Sequence, residues 1–187
     1  MSTSLSTLPL HLSAQTRWMS PLGEMLLART PLGLAGAWFD GQKDHPGPLA
    51  AAEQAADPLL QQAISQLDAY FRQVLAAPPL LQPPAAAAGG VLGWRFDLPL
   101  DLHGTPFQRA VWQALLALAP GQTCSYGDIA RQVGSPAAVR AVGAAVGKNP
   151  VSVIVPCHRV LGRDGSLTGY AGGLDRKRAL LALEGHW

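Results

Sequence analysis

Charge is scarce in this chain, and so are cysteine and aromatic residues. Of its 187 residues 14% are Asp, Glu, Lys or Arg, 6% are Phe, Trp or Tyr, and two are cysteine. Each shortage closes off a class of protein. Low charge beside 48% hydrophobic residues is the composition of a folded chain able to bury a core, not of a disordered one. Two cysteines, Cys124 and Cys157, allow one disulfide at most. Met1 to Arg17 lacks the basic start and continuous apolar stretch of a secretory signal, so both cysteines read as reduced thiols of an intracellular protein. No apolar run reaches the roughly 18 residues of a membrane span, which excludes a membrane partner. The N-terminal half has no Cys/His cluster and the chain has no nucleotide-binding motif, so neither metal nor cofactor is expected.

The few charges are unevenly placed. Residues 1 to 100 hold five Lys/Arg against seven Asp/Glu, whereas residues 101 to 187 hold nine against five. A basic second half is a modest pointer to nucleic acid. In the first half, Met25 to Ala28 and Leu34 to Phe39 read as strands, with a tight-turn signal at Asp40-Gly41. Asp57-Pro58 opens a helix whose Leu60, Ile64, Leu67 and Phe71 recur on one face. Residues 76–90, rich in Pro and Ala and without charge, read as a loop or linker. Trp94, Phe96, Leu98 and Leu100 alternate as a half-buried strand would, closing a small α/β unit over 1–100.

From 101 to 187 the pattern is helical. Thr105-Pro106-Phe107-Gln108 is an N-cap, a proline and a capping-box Gln, followed by Phe107, Val111, Leu115 and Leu118 on one face. Ser125 and Asp128 form a second capping box, opening a short helix over Tyr126 to Val133 that Gly134 stops. Ser135-Pro136 is read as the start of a third, running to Val146. Two short helices about a glycine turn suit a helix-turn-helix or an ordinary helical hairpin. On the third helix Ala137, Ala138, Ala141, Gly143, Ala144 and Ala145 leave Arg140 as the only long polar side chain. A major-groove reader would offer several polar side chains to base edges, and this helix cannot. Thinning it to Ala and Gly suits either a minor groove, widened less than a full helix would require, or close packing inside the protein. A last helix, Leu174 to Glu184, carries Arg176, Lys177 and Arg178, read as a solvated basic face or as phosphate contacts.

Asn149 to Val160 is the chemical centre. Val151, Val153, Ile154 and Val155 form a β-branched run bounded by Pro150 and Pro156, expected as a short buried strand ending abruptly at Cys157. A thiolate is the reactive form of cysteine, and neighbouring His and Arg lower the thiol pKa; His158 and Arg159 supply both. Neighbours in extended chain point apart, so His158 would need a water or a turn at Pro156 to reach the sulfur. The alternative is that Cys157 is a small buried hydrophobe.

Pro156-Cys157-His158-Arg159-Val160, with Asn149-Pro150 before it and Gly169-Tyr170-Ala171-Gly172-Gly173-Leu174 after it, resembles the active-site signature of the O6-alkylguanine-DNA alkyltransferases. Ser125-Tyr126-Gly127-Asp128-Ile129-Ala130 and Arg140-Ala141-Val142-Gly143 resemble that family's DNA-binding segment, in the expected order. The likeness is close from Pro106 to Glu184 and looser from Ser20 to Phe39. It implies a small N-terminal α/β domain with a ribonuclease H-like sheet, then a mainly helical domain with a helix-turn-helix. It implies irreversible transfer of the alkyl group from O6-alkylguanine, and from O4-alkylthymine, to Cys157. His158 would accept the thiol proton through water and Glu184 would hold the imidazolium. Asn149 would tie the recognition helix to the active-site turn. Tyr126 would press on the rotated phosphate and bond the guanine, and Arg140 would fill the gap left by the flipped base. Ala137, Ala138, Ala141 and Gly143 would face the minor groove, and Val160, Tyr170 and Ala171 would line the guanine pocket. Some relatives have Ser where Ala171 stands, so a bond to O6 there must come from backbone. A zinc known in some relatives is not expected. The implied partner is double-stranded DNA bound without regard to sequence by a monomer, with clustering along DNA left open, in the cytoplasm or, in a eukaryote, the nucleus.

Three other readings compete. A cysteine hydrolase would use the same Cys-His logic, but nothing suggests an oxyanion hole. A transcription factor would need more base-reading side chains. A non-catalytic lesion-binding relative would have replaced the cysteine.

Overall fold

The computed structural model describes residues 11–75 and 94–186. The loop or linker expected over 76–90 lies outside them. The chain builds a three-stranded antiparallel sheet from β1 (Ala14–Ser20), β2 (Gly23–Arg29) and β3 (Leu34–Phe39), then α1 (Pro58–Leu75). The sequence pattern marked β2 and β3. β1 is interrupted by polar residues and becomes clear only through its register, Ala14 opposite Arg29 to Ser20 opposite Gly23. Asp57 caps α1 as expected, its Oδ1 accepting from the backbone N–H of Leu59 and Leu60 at 3.1 Å each. Leu60, Leu67 and Phe71 are buried against the sheet with Met25, Leu27 and Phe39.

β3 is an edge strand, and segments from later in the chain cover it. Leu34 N–H donates to Pro99 O and Asp101 N–H to Leu34 O. Ala37 N–H donates to Pro150 O and Ser152 N–H to Ala37 O, at 2.9 and 2.8 Å. Free backbone groups on an edge invite pairing, and here two single bridges satisfy them. The strand expected over Trp94 to Leu100 is reduced to the bridge at Leu100. Its half-buried and exposed residues do alternate, but Pro99 has no N–H to pair, and side chains from α1 hold the segment instead. Gln66 Oε1 accepts from Asp97 N–H, and Gln62 and Gln66 donate to Asp97 O.

The second half is mainly helical: α2 (Pro106–Leu116), a two-residue strand β4 (Cys124–Ser125), α3 (Tyr126–Gln132), α4 (Val139–Gly147), a two-residue strand β5 (Val160–Leu161) and α5 (Leu174–Leu183). Both capping boxes are formed, Thr105 with Gln108 and Ser125 with Asp128. Leu118 lies past the end of α2, though it still packs on the core. At the end of α3, Ser135 N–H bonds Ala130 O and Gly134 N–H bonds Arg131 O, a Schellman stop with Gly134 at φ 71°. The third helix begins later than Ser135-Pro136 suggested. Ser135 to Ala138 closes a turn, Ala138 N–H to Ser135 O at 2.8 Å, and α4 starts at Val139 without a side-chain cap. Trp112 Nε1 donates to Ala145 O at 2.9 Å in the interior, fixing α4 to α2.

Candidate active site

The run Val151 to Val155 is buried as expected, but it is not a strand. Only Val151 pairs, with Ala37, and Ser152 to Ile154 turn back so that Val155 N–H meets Val151 O at 3.0 Å. The turn puts Val153 at φ 73°, a left-handed conformation that β-branched residues avoid. Asn149 holds the backbone there. Its Oδ1 accepts from Val151 N–H at 3.0 Å, and its Nδ2 donates to Val155 O at 2.8 Å and approaches Cys157 Sγ at 3.1 Å. Cys157–Arg159 then form one turn of 3-10 helix, so Cys157 and His158 are not extended neighbours.

Cys157 is 3% exposed and lines a cavity of about 350 Å³. Tyr126, Gly143, Tyr170 and Ala171 line the same cavity, together with Lys43 and Asp44 from the loop after β3 and Lys148 from the end of α4. Lys43 N–H donates to Ala171 O at 2.9 Å, which ties the sheet unit to the cavity wall. Tyr126 Oη lies 3.4 Å from the carbonyls of Thr168 and Gly169. Val160 is fully buried, outside the cavity lining. Arg140, Ala137 and Ala141 are exposed and Ala138 half-buried, away from the cavity.

His158 is fully buried, with Nε2 3.1 Å from Glu184 Oε1. Glu184 is the C-cap of α5, held by a second Schellman stop in which Gly185 N–H bonds Ala182 O and His186 N–H bonds Leu181 O. Burial would raise its carboxyl, but bonds and charge from His158 and Arg159 hold it well below the usual carboxylate range. An ionised Glu184 can only accept, so Nε2 carries the proton and Nδ1 keeps a lone pair. Nδ1 is buried and has no hydrogen-bond partner among the described residues. Burial pushes the His158 pKa down, so the ring is neutral and able to take a proton.

The thiol is not activated as the sequence suggested. Burial pushes the Cys157 thiol up, opposed by the Asn149 amide, the Lys177 charge and the backbone N–H groups of Cys157 and His158. Arg159 is committed elsewhere, its Nε and Nη2 on Glu184 at 2.8 and 2.6 Å and its Nη1 on Leu118 O. The resting sulfur is therefore a thiol that needs a base. Cys124, the other cysteine, is half-buried in β4, with its thiol pushed up to about 11 by burial.

The basic run on α5 is not a solvated face. Lys177 is fully buried, its Nζ donating to Val160 O at 2.5 Å, Thr168 O at 2.6 Å and Gly169 O at 3.4 Å. Burial lowers its pKa to about 8, and the Cys157 sulfur pulls the other way. Arg176 donates to Leu22 O and Gly172 O and lies 4.7 Å over the Phe39 ring. Only Arg178 is exposed, near Asp175. Among the described residues no three His, Cys, Asp or Glu cluster as a metal site would require, and no helix is long and apolar enough to cross a membrane.

Residues 106–186 match the family described as 6-O-methylguanine DNA methyltransferase, DNA binding domain, and residues 15–77 that described as 6-O-methylguanine DNA methyltransferase, ribonuclease-like domain. The chain is similar to the methylated-DNA–protein-cysteine methyltransferase of Mycobacterium bovis, 43% identical over 170 residues and 88% of each chain. It is 42% identical to that of Methanosarcina acetivorans over 167 residues, 89% of this chain and 94% of the relative. The crystal structure of Mycobacterium tuberculosis OGT in complex with DNA resembles it with a TM-score of 0.76 at 40% identity, over 91% of this chain and 92% of that one.

Proposed function

The chain belongs to the 6-O-methylguanine DNA methyltransferase family, whose members reverse alkylation damage by moving the alkyl group to their own cysteine, and we propose how its residues carry out that transfer. Cys157 is the acceptor. The observation that carries this reading is the cavity-lining thiol followed in the chain by a buried, neutral imidazole whose Nδ1 has no hydrogen-bond partner among the described residues. His158 Nδ1 takes the thiol proton through a water, and Glu184 and Arg159 hold the ring while it is charged. Asn149 Nδ2 and the Lys177 cation stabilise the thiolate. The thiolate attacks the alkyl carbon, the carbon–O6 bond breaks with its electron pair on O6, and the guanine leaves. The proton taken from sulfur passes on to the departing purine, so no net charge is created. The new carbon–sulfur bond has no acyl carbonyl for water to attack, so each molecule acts once.

A base stacked in a duplex cannot reach a sulfur at the floor of a cavity, so the nucleotide must rotate out. The exposed Ala137 in the turn before α4, the exposed Arg140 and Ala141 on α4, and half-buried Gly143 beside Tyr126 support binding in the minor groove with Arg140 filling the vacated stack. Such a surface reads no sequence. Tyr126, Tyr170 and Ala171 then receive guanine, and O4-alkylthymine by the same route. The protein works as a monomer, where the DNA is: in the cytoplasm, or in the nucleus of a eukaryote.

The test is peptide mass mapping after reaction with duplex carrying one O6-methylguanine. The methyl group is expected on the peptide containing Cys157 and absent from the Cys157→Ala variant; label on Cys124 would overturn the assignment.

A further inference from the structure

Glu184 Oε1 is shared by three donors. Tyr70 Oη and Arg159 Nη2 each lie 2.6 Å away and His158 Nε2 lies at 3.1 Å, while Oε2 accepts from Arg159 Nε and, at 3.3 Å, from Gly121 N–H. A carboxylate oxygen has two lone-pair sites, so three donors on one atom compete, and the histidine holds the longest bond. Tyr70 comes from α1, in the N-terminal unit and 114 residues from Glu184. Among the described residues its hydroxyl is the one N-terminal group bonded to this carboxylate.

We propose that Tyr70 is a positioning residue of the alkyl-transfer reaction: by donating to Glu184 Oε1 from the N-terminal unit, it sets how strongly Glu184 draws on His158. This rests on the reading of His158 and Glu184 as the proton relay. Tyr70 touches neither the substrate nor the sulfur; it acts through the carboxylate. Burial and the Glu184 charge push its phenol far above the ordinary range, so it remains a donor at any working pH. Among the described residues, Glu184 faces Tyr70, His158 and Arg159 and acts on Tyr170; His158 also feels Arg159 and the Lys177 cation; and Tyr70 also feels Arg159 and Tyr170.

Removing the hydroxyl alone frees one site on Oε1. The imidazole N–H can then bond it more closely, and a charged His158 is better stabilised. Its proton affinity should rise, and because only the neutral ring serves as base, the acidic limb of the rate profile should move to higher pH. Tyr70→Phe keeps the ring packed edge-on to Phe71 and tilted against Phe96, with centroids at 5.2 and 5.6 Å, so the packing that holds it is retained.

The experiment follows the rate of reaction with free O6-benzylguanine against pH for the full-length wild type, Tyr70→Phe and Glu184→Gln, and titrates His158 in each by NMR. Tyr70→Phe is expected to raise both the limb and the His158 titration by about half a pH unit or more, roughly threefold in proton affinity. Glu184→Gln is expected to lower both and to slow the maximal rate. If Glu184→Gln shifts the profile and Tyr70→Phe overlays the wild type, the role of Tyr70 is overturned and the relay stands. If neither moves it, the relay itself is wrong, and the inference falls with it.

Discussion

Asn149 Nδ2 stands 3.1 Å from Cys157 Sγ and 2.8 Å from Val155 O, so one buried amide both shapes the turn before Cys157 and meets the proposed acceptor sulfur. Asn149→Ala would leave the buried N–H of Val151 without its partner, leave the carbonyl of Val155 with only the Cys157 N–H at 2.8 Å, and release the backbone that keeps Val153 at positive φ. Buried polar groups stripped of partners cost about 1 to 3 kcal/mol each. The variant should unfold at lower urea concentration and react more slowly with O6-benzylguanine, its thiol harder to ionise. Unchanged stability would show that the turn does not depend on this side chain.

Lys177 makes a separable prediction. Lys177→Met is close in volume and removes the cation, so Val160 O loses the Lys177 donor, Thr168 O and Gly169 O keep only Tyr126 Oη at 3.4 Å, and Cys157 loses a favourable charge. Thiol alkylation measured against pH should shift to higher pH. A profile identical to the wild type would reduce Lys177 to a structural tie.

Acid stability follows from the relay. Unfolded, His158 protonates near 6.5 and Glu184 near 4.5, whereas folded both protonate only at lower pH. The unfolded chain therefore binds more protons as pH falls, and stability from this pair, complete above about pH 6.5, drains first through His158 and then through Glu184. Urea midpoints followed by tryptophan fluorescence should fall between pH 7.5 and 5. The decline should be shallower in His158→Gln. An equally steep decline in that variant would place the acid sensitivity elsewhere.

How much of this could be read in advance varied with the range of the interaction. Capping boxes at Thr105 and Ser125 and the Asp57 cap are local signals, and local signals survive folding. The Val151–Val155 run was misleading because periodicity cannot separate a buried strand from a buried turn, and the amide of Asn149 tipped it to the turn. Lys177 looked solvated inside Arg-Lys-Arg, although a different pattern was present: Lys177, Leu180, Leu181 and Glu184 are spaced i, i+3, i+4, i+7, and all four are buried. A buried stripe that begins and ends with a charge signals partners held elsewhere. Tyr70 had no such signal, because its partner lies on another element far along the chain.

Arg140→Ala should slow repair of a duplex lesion by about tenfold or more, since rotating a base out costs a few kcal/mol that Arg140, in its proposed place in the vacated stack, would offset. Reaction with free O6-benzylguanine should be unaffected. Affinity for undamaged duplex should vary little with sequence and fall steeply with salt. Equal losses on duplex and free base would remove Arg140 from base rotation.

The most direct test of the account is stoichiometry. Protein is mixed with excess O6-methylguanine duplex, and repaired DNA and intact protein mass are followed together. Repaired guanine should rise to one per protein and stop, every molecule gaining one methyl group, and no second round should follow on adding fresh DNA. Repaired DNA several-fold above protein, with the thiol of Cys157 restored, would contradict transfer to the protein's own cysteine.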